Sequence, residues 1–307
     1  MPMPMITRRF LLALLAEGGR RVFASASAGA PPQPSSRTYR VDATILLFSL
    51  SIFTRAGVGK GHARHVVTRS TDRSVHQLEF EAGSLPDRAH GLNRLGLIRE
   101  TVAEADSGIL EASYFGFMTA SKEESLGEAK KALNDKTAQS VFVAIEGQSR
   151  PGEAHSRRAR FSSDARTEWS ELERRAEAAV RDPAQTSGES RFPSGASGAA
   201  APTFLFALWG AMSSGEARLK QIYVYSGDRY ELTTSRRPDP KTGRRFADRG
   251  LVSRPEAVMA LTGTIHNLRT GNKTPFRIWT EEASRSVPLR IEYQPRGFLQ
   301  LALEAEG

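Results

Sequence analysis

Between Thr38 and Phe53 the chain reads TYRVDATILLFSLSIF. In its first half Tyr39, Val41, Ala43 and Ile45 alternate with Arg40, Asp42 and Thr44, a period of two that marks a strand with one buried face. From Ile45 to Phe53 both faces are mostly apolar, which predicts a strand running under cover. Residues 76–83 and 139–147 read as further strands, and 96–117 as one or two more with glycine breaks. The last third repeats the pattern at short spacing. RLKQIYVY and DRYELTT meet across Ser226-Gly227 as a hairpin-like pair, and AVMALTGTIHNL, PFRIWT, VPLRIEYQ and FLQLALEA follow. In VPLRIEYQ, Leu289, Ile291 and Tyr293 alternate with Arg290 and Glu292, so the first three are expected inside and the two charges in water.

Two stretches read as helices. SKEESLGEAKKALN (121–134) has the capping-box spacing Ser121/Glu124 and ends on Lys130 and Lys131. Residues 162–182 place Trp169, Leu172, Ala176 and Ala179 on one narrow face. The run 183–202 is rich in Gly, Ser, Pro and Ala, with Phe192 as its one large apolar side chain, and reads as a loose linker. The expected fold class is therefore mainly β with a few helices: a curved antiparallel sheet or open β-barrel. One β-rich domain spans 38–307, with a helical and flexible insert at about 150–202.

The N-terminus has a different grammar. Arg8 and Arg9 precede the apolar run Phe10–Ala16, and small-x-small sites follow around Ala24, Ala26 and Ala28. Basic, apolar, then small is the order of an export signal, here residues 1–28, followed by a Pro/Ser-rich linker over 29–37. The expected location is the periplasm. The chain has 307 residues and no cysteine, which removes disulfides, iron–sulfur clusters, thiolate zinc sites and cysteine nucleophiles. A net charge of +9 invites a nucleic-acid reading. Eight lysines leave 35 of the 43 basic residues as arginine, scattered and often near acids, as GC-rich coding produces without any ligand.

The C-terminal run GTIHNLRTGNKTPFRIWTEEASRSVPLRIEYQPRGFLQLALE (263–304) resembles the end of the DUF3108 family of exported bacterial proteins. The resemblance is carried by Trp279, Glu281, Pro288, Leu289, Arg290 and Ile291, in a passage of the form W-x-acid…small-x-x-P-L-R-I. It implies a coiled antiparallel sheet around a hydrophobic helix or cleft, similar to periplasmic lipoprotein carriers. It brings no catalytic residues, and the insert departs from the pattern.

Candidate chemistry is sparse. TRAGVGKGHARH (54–65) contains a Gly-Lys pair, but Thr54 stands where a phosphate loop needs glycine and Gly61 where it needs a hydroxyl. Gly57, Gly59 and Gly61 would instead share one strand face and allow close packing or a bend. His62 and His65 are three apart and so face opposite sides of a strand; with His76 and His90 they read as surface histidines, and no metal or cofactor is expected. No nucleophile motif is present, and the adjacent Glu281 and Glu282 point apart. The segment RRPDPKTGRRFADR (236–249) reads as an exposed basic hairpin loop, with Arg236, Arg237, Arg244 and Arg245 as candidate contacts to an anionic lipid headgroup or polymer. Its aromatic content is Phe246 alone, which argues against nucleic acid. The leading function is non-enzymatic: an envelope protein holding a lipophilic molecule or partner segment in a cleft lined by Ile45, Leu47, Phe204, Phe206 and Trp209. A structural envelope protein with no small ligand is the competing class, and a hydrolase-type enzyme the third. A plugged concave face would favour the structural class. Protein recovered from envelope fractions is expected to begin between Ser25 and Pro31; full-length chain in the cytoplasm would end the export reading.

Overall fold

Among the residues described by the computed structural model (34–47, 50–85, 87–89, 94–120, 140–164, 167–192, 200–282, 286–297 and 299–307), fourteen strands form one antiparallel sheet. The first arm runs β1 (Ser35–Leu47), β2 (Leu50–Arg69), β3 (Ser74–Ser84), β4 (Leu95–Ala105), β5 (Gly108–Thr119), β6 (Ser140–Arg150), β7 (Glu153–Ser163) and β8 (Thr186–Phe192), with α1 (Trp169–Arg181) between the last two. Helix α2 (Phe204–Ser213) then leads to the second arm: β9 (Arg218–Tyr225), β10 (Asp228–Pro238), α3 (Pro240–Ala247), β11 (Val258–Asn267), β12 (Lys273–Glu281), β13 (Arg290–Arg296) and β14 (Leu299–Ala305). Each arm is a meander. They join because β14 pairs with β1, Ala305 opposite Tyr39 and Leu299 opposite Ile45, which leaves β8 and β9 as the two edges. The expected curved, barrel-like β fold is the observed one.

Alternation assigns the faces. On the outer face, Leu172, Ala176, Ala179 and Val180 of α1 pack on Leu97, Phe117, Phe142 and Ala159. Also outside, Phe246 of α3 packs on Val258, Ala260, Trp279 and Leu289. The inner face receives α2, which touches β3 and β4 of the first arm and β9 and β10 of the second. Among the described residues no helix is long and apolar enough to cross a membrane.

The edges nearly meet. The turn Ser226-Gly227 has positive φ at both residues, as a two-residue hairpin between Tyr225 and Asp228 requires. A side chain at Gly227 would stand 2.7 Å from Ser190 Oγ of β8 and 3.0 Å from Ser156 Oγ of β7, and Ser226 N donates to Tyr114 Oη of β5 at 2.9 Å. Residues 200–202 are strapped across the seam: Ala200 N donates to the Ile109 carbonyl, Ala201 N to Ser149 Oγ, and Val224 N to the Pro202 carbonyl. The reading of 183–202 as a loose linker is thus corrected at both ends, since β8 pairs with β7 and the strap is buried. Small polar residues can form an edge strand through backbone bonds, and alanine fits where two strands approach. Residues 193–199 and the helix expected over 121–134 lie outside the described residues.

Three further expectations change. Ile52 and Phe53 are exposed rather than covered, because β14 pairs with β1 only as far as Ile45 and β3 with β2 only from Gly59 onward. Of the three alternating glycines, Gly59 serves close packing, since a side chain there would stand 2.5 Å from the Gly83 carbonyl oxygen, whereas Gly57, at positive φ, lies in the register shift between Arg55 and Gly59 and breaks the alternation. The segment 236–249 is not a hairpin loop but the end of β10 and helix α3. Asp239 caps that helix, accepting from Thr242 N (3.0 Å) and from Trp279 Nε1 (2.9 Å), and Pro240 sits at its first turn. The face assignment at the last strands is mixed. Leu289 is fully buried beneath α3 and Ile291 is half-buried on the inner face, but Tyr293 is exposed. Arg290 is only 17% exposed and pairs with the buried Glu304 and with Glu292.

Removing one partner of a buried ion pair is costly, although Arg245 and Arg249 also reach Glu304 and soften the loss. Arg290→Ala is expected to cost about 2–3 kcal/mol, comparable to Ile291→Ala, in urea unfolding at neutral pH. A cost below about 0.5 kcal/mol for Arg290→Ala would return that side chain to the solvent.

Candidate functional site

Helix α2, FLFALWGAMS, carries no charge, and a helix apolar on all sides needs cover on all sides. Ala207, Ala211 and Met212 pack on Tyr223, Leu232, Leu261 and Ile278, while Phe206 turns to Leu78, Val102 and Ala112. Three of the five expected cleft residues, Phe204, Phe206 and Trp209, are therefore together on this helix. Ile45 is half-buried on β1 and belongs to none of the clusters that touch α2; the Leu47 side chain lies outside the described residues. The helix itself fills the inner side, and Leu205, Leu208 and Trp209, at helical spacing, stay half-buried.

A buried helix start leaves amides without partners. Glu100 of β4 supplies them. Its carboxyl accepts from Leu205 N at 2.8 Å, Phe206 N at 3.0 Å and the Thr203 hydroxyl, so Thr203 caps nothing itself. Complete burial pushes the Glu100 carboxyl up to about 7; these three donors oppose the shift. Tyr114, opposite Glu100 in the β4–β5 register, and Tyr223 and Tyr225 across the interior are raised by burial as well.

One turn further along α2, Trp209 meets two histidines. The β2–β3 register sets His65 opposite Leu78 and Val67 opposite His76, which places both imidazoles on the face under the helix. They are 4% and 2% exposed, so their reading as surface histidines is corrected. His65 Nε2 and His76 Nδ1 are 3.0 Å apart, and His76 Nε2 lies 2.8 Å from Glu104 Oε1. A carboxylate accepts only, so His76 Nε2 carries a proton; its bare Nδ1 then accepts from His65 Nε2–H. Trp209 lies 4.6 Å from the His76 ring and 5.2 Å from the His65 ring, centroid to centroid, and Phe206 5.2 Å from His76. Burial, then His76, then Arg69 hold His65 down to about 4; burial also lowers His76, against the pull of Glu104. The result is a relay of neutral imidazoles ending on a half-exposed carboxylate, not a convergent metal site. Among the described residues no cluster suits a metal ion. His62 faces away from His65, and His90 is not described.

The four expected anion contacts do not form one site. Arg236 donates to the Ser214 carbonyl, Arg237 and Arg244 are exposed, and Arg245 reaches Glu304. Sequence reading missed Glu100, His65 and His76, although a signal existed. Glu100 shares a strand face with Ile98 and Val102, and His65 with Ala63, so each is a titratable residue on an apolar stripe.

No family model matches the chain, and no curated protein matches it. Among solved structures it is similar to the crystal structure of a beta-barrel-like protein of domain of unknown function DUF1849 from Brucella abortus, with a TM-score of 0.43 and 10% identity. That likeness covers 91% of this chain and 97% of the other.

The two buried groups oppose each other in pH dependence. His65, lowered to about 4 from 6.5, contributes stability that is present above 6.5 and lost as pH falls through 4. Glu100, raised to about 7 from 4.5, contributes stability that is present below 4.5 and lost as pH rises through 7. Glu100→Gln removes the second loss. Relative to wild type, its stability should improve by up to about 3 kcal/mol between pH 4.5 and 8 in urea titrations. A difference independent of pH would mean that folding does not raise the Glu100 carboxyl above its unfolded value.

Proposed function

We propose that the chain is a non-enzymatic, exported envelope protein that binds a lipophilic molecule or an apolar partner segment along the open stripe of α2. The observation that carries this reading is the uncharged helix seated between the two arms, with Leu205, Leu208 and Trp209 only half-covered. The interior accepts one apolar occupant from the chain itself, and the half-covered stripe offers further apolar surface beside it. The outer-face depression of about 170 Å³ is a poorer fit for such a ligand, because Arg64, Glu79 and Arg99 line it. The export-type N-terminus and the DUF3108-like passage around Trp279 and Pro288–Ile291 support an envelope setting.

A second reading, a structural protein without a small ligand, is favoured by one observation: α2 already occupies the concave side. Native mass spectrometry of the purified protein, with fluorescence titration by a long-chain fatty acid, separates the two. Binding is expected to give an added mass and a saturable change in the Trp209 signal, identified by its loss in Trp209→Phe. Leu208→Asp should weaken binding at least tenfold. A protein that is folded, ligand-free and unresponsive to the fatty acid would leave the structural reading in place.

A further inference from the structure

The outer face carries a polar cluster that the cleft does not use. In the sheet register Glu304 of β14 has Arg40 of β1 opposite it on one side and Arg290 of β13 on the other. Arg245 from α3 and Arg249 just after it come down onto the same carboxylate: Arg249 and Arg290 hydrogen-bond it, and Arg245 lies 3.3 Å from its Oε2. Arg40 instead holds Asp42 through two bonds of 3.0 and 3.1 Å, while Arg290 also takes Glu292. Four guanidiniums thus face three carboxylates, Asp42, Glu292 and Glu304, and Lys60, opposite Arg40 on β2, adds a further cation to the same face, so the patch is net positive.

Donor supply exceeds demand still further. Each guanidinium has five N–H groups, whereas Glu304, 5% exposed, offers about four lone-pair positions. Arg40, Arg245 and Arg249 are 44%, 53% and 35% exposed at their side chains, so much of each fork is open to solvent. Neighbouring groups help to position the patch. Arg245 lies over the buried Phe246 ring and Arg290 over Trp279, and Asp42 is fixed by Gly57 N at 2.8 Å. Burial and the repulsion of Arg40, Arg245 and Arg290 lower the pKa of Arg249, the direction expected where like charges crowd.

We propose that Arg40, Arg245 and Arg249, set around Glu304, form a binding site for a monoanionic phosphodiester group. Planar guanidinium forks match two phosphate oxygens at once, and a phosphodiester brings negative charge to a net-positive patch. The same chemistry is offered by a soluble phosphodiester or by a phospholipid headgroup at a membrane surface. This site is separate from the apolar stripe of α2, so either proposal stands without the other.

The purified protein is titrated calorimetrically with dimethyl phosphate at constant ionic strength, and floated with vesicles of phosphatidylglycerol or of phosphatidylcholine. Saturable heat with dimethyl phosphate, weakened at least tenfold in the double variant Arg40→Gln/Arg245→Gln, identifies the free diester as sufficient. Flotation with phosphatidylglycerol but not phosphatidylcholine, lost in that variant and without heat from dimethyl phosphate, identifies the headgroup. The control is Arg218→Gln/Arg237→Gln, two exposed arginines outside the patch, and it should behave as wild type. Arg245→Lys, which keeps the charge but not the fork, should show a smaller loss, and it serves if the double variant fails to fold. No response from wild type to either probe overturns the proposal. A response that the control pair removes equally, or that Arg245→Lys leaves intact along with the double variant, does the same.

Discussion

The connection from β8 to β9 has to travel between the two open edges of a fourteen-stranded sheet, and it does so through the interior as α2. That path demands a helix without charges, and it buries amides at the helix start that water cannot reach. Glu100 answers the demand from across the fold, more than a hundred residues away in sequence. The strap of Ala200–Pro202, the tyrosines around the seam and the histidine pair beneath Trp209 are all arranged around this one seated helix. A carboxyl in that place is a compromise. Burial favours the neutral acid, and the donors at the helix start favour the anion.

The two polar clusters solve the same problem in opposite ways. Inside, His65 and His76 stay neutral and pass one hydrogen bond to the next until Glu104 reaches the rim. Outside, under α3, charge is kept and matched: Glu304 is buried only because guanidiniums from β13 and from α3 and its following turn surround it. Neutral relays suit an apolar interior because desolvating them is cheap compared with desolvating an ion. Ion clusters suit a partly wet face, where an excess of donors also leaves binding capacity.

Closure without a closing ladder is the remaining feature. β8 and β9 are edges, which in an open sheet would invite other strands. Here the Ser226-Gly227 turn, lacking a side chain at Gly227, presses against Ser190 and Ser156, and the strap lies over the seam. The barrel-like shape is therefore held by a turn, a tripeptide and a helix rather than by continuous pairing.

Local pattern was enough to read most of the strands: the alternation at Tyr39–Ile45, the Ser226-Gly227 hairpin and the short closing strands all express a period that each segment carries alone. The helix expected over 162–182 was legible for the same reason, from Trp169, Leu172 and Ala176 on one face, although it begins only at Trp169 because Ser162 and Ser163 end β7. α3 had its signal in Asp239-Pro240, an N-cap followed by the residue best suited to a first turn, but the basic residues around it looked like a solvated loop. Partnership could not be read. Whether Ile52 is covered depends on how far β14 extends, whether Arg290 meets water depends on Glu304 on the neighbouring strand β14, and whether His65 is a surface residue depends on where α2 lies. Periodicity says which residues share a face, because side-chain direction follows from backbone geometry within a segment. What covers that face is decided by contacts between segments far apart in sequence, and here those contacts turned one glutamate and two histidines into the centre of the molecule.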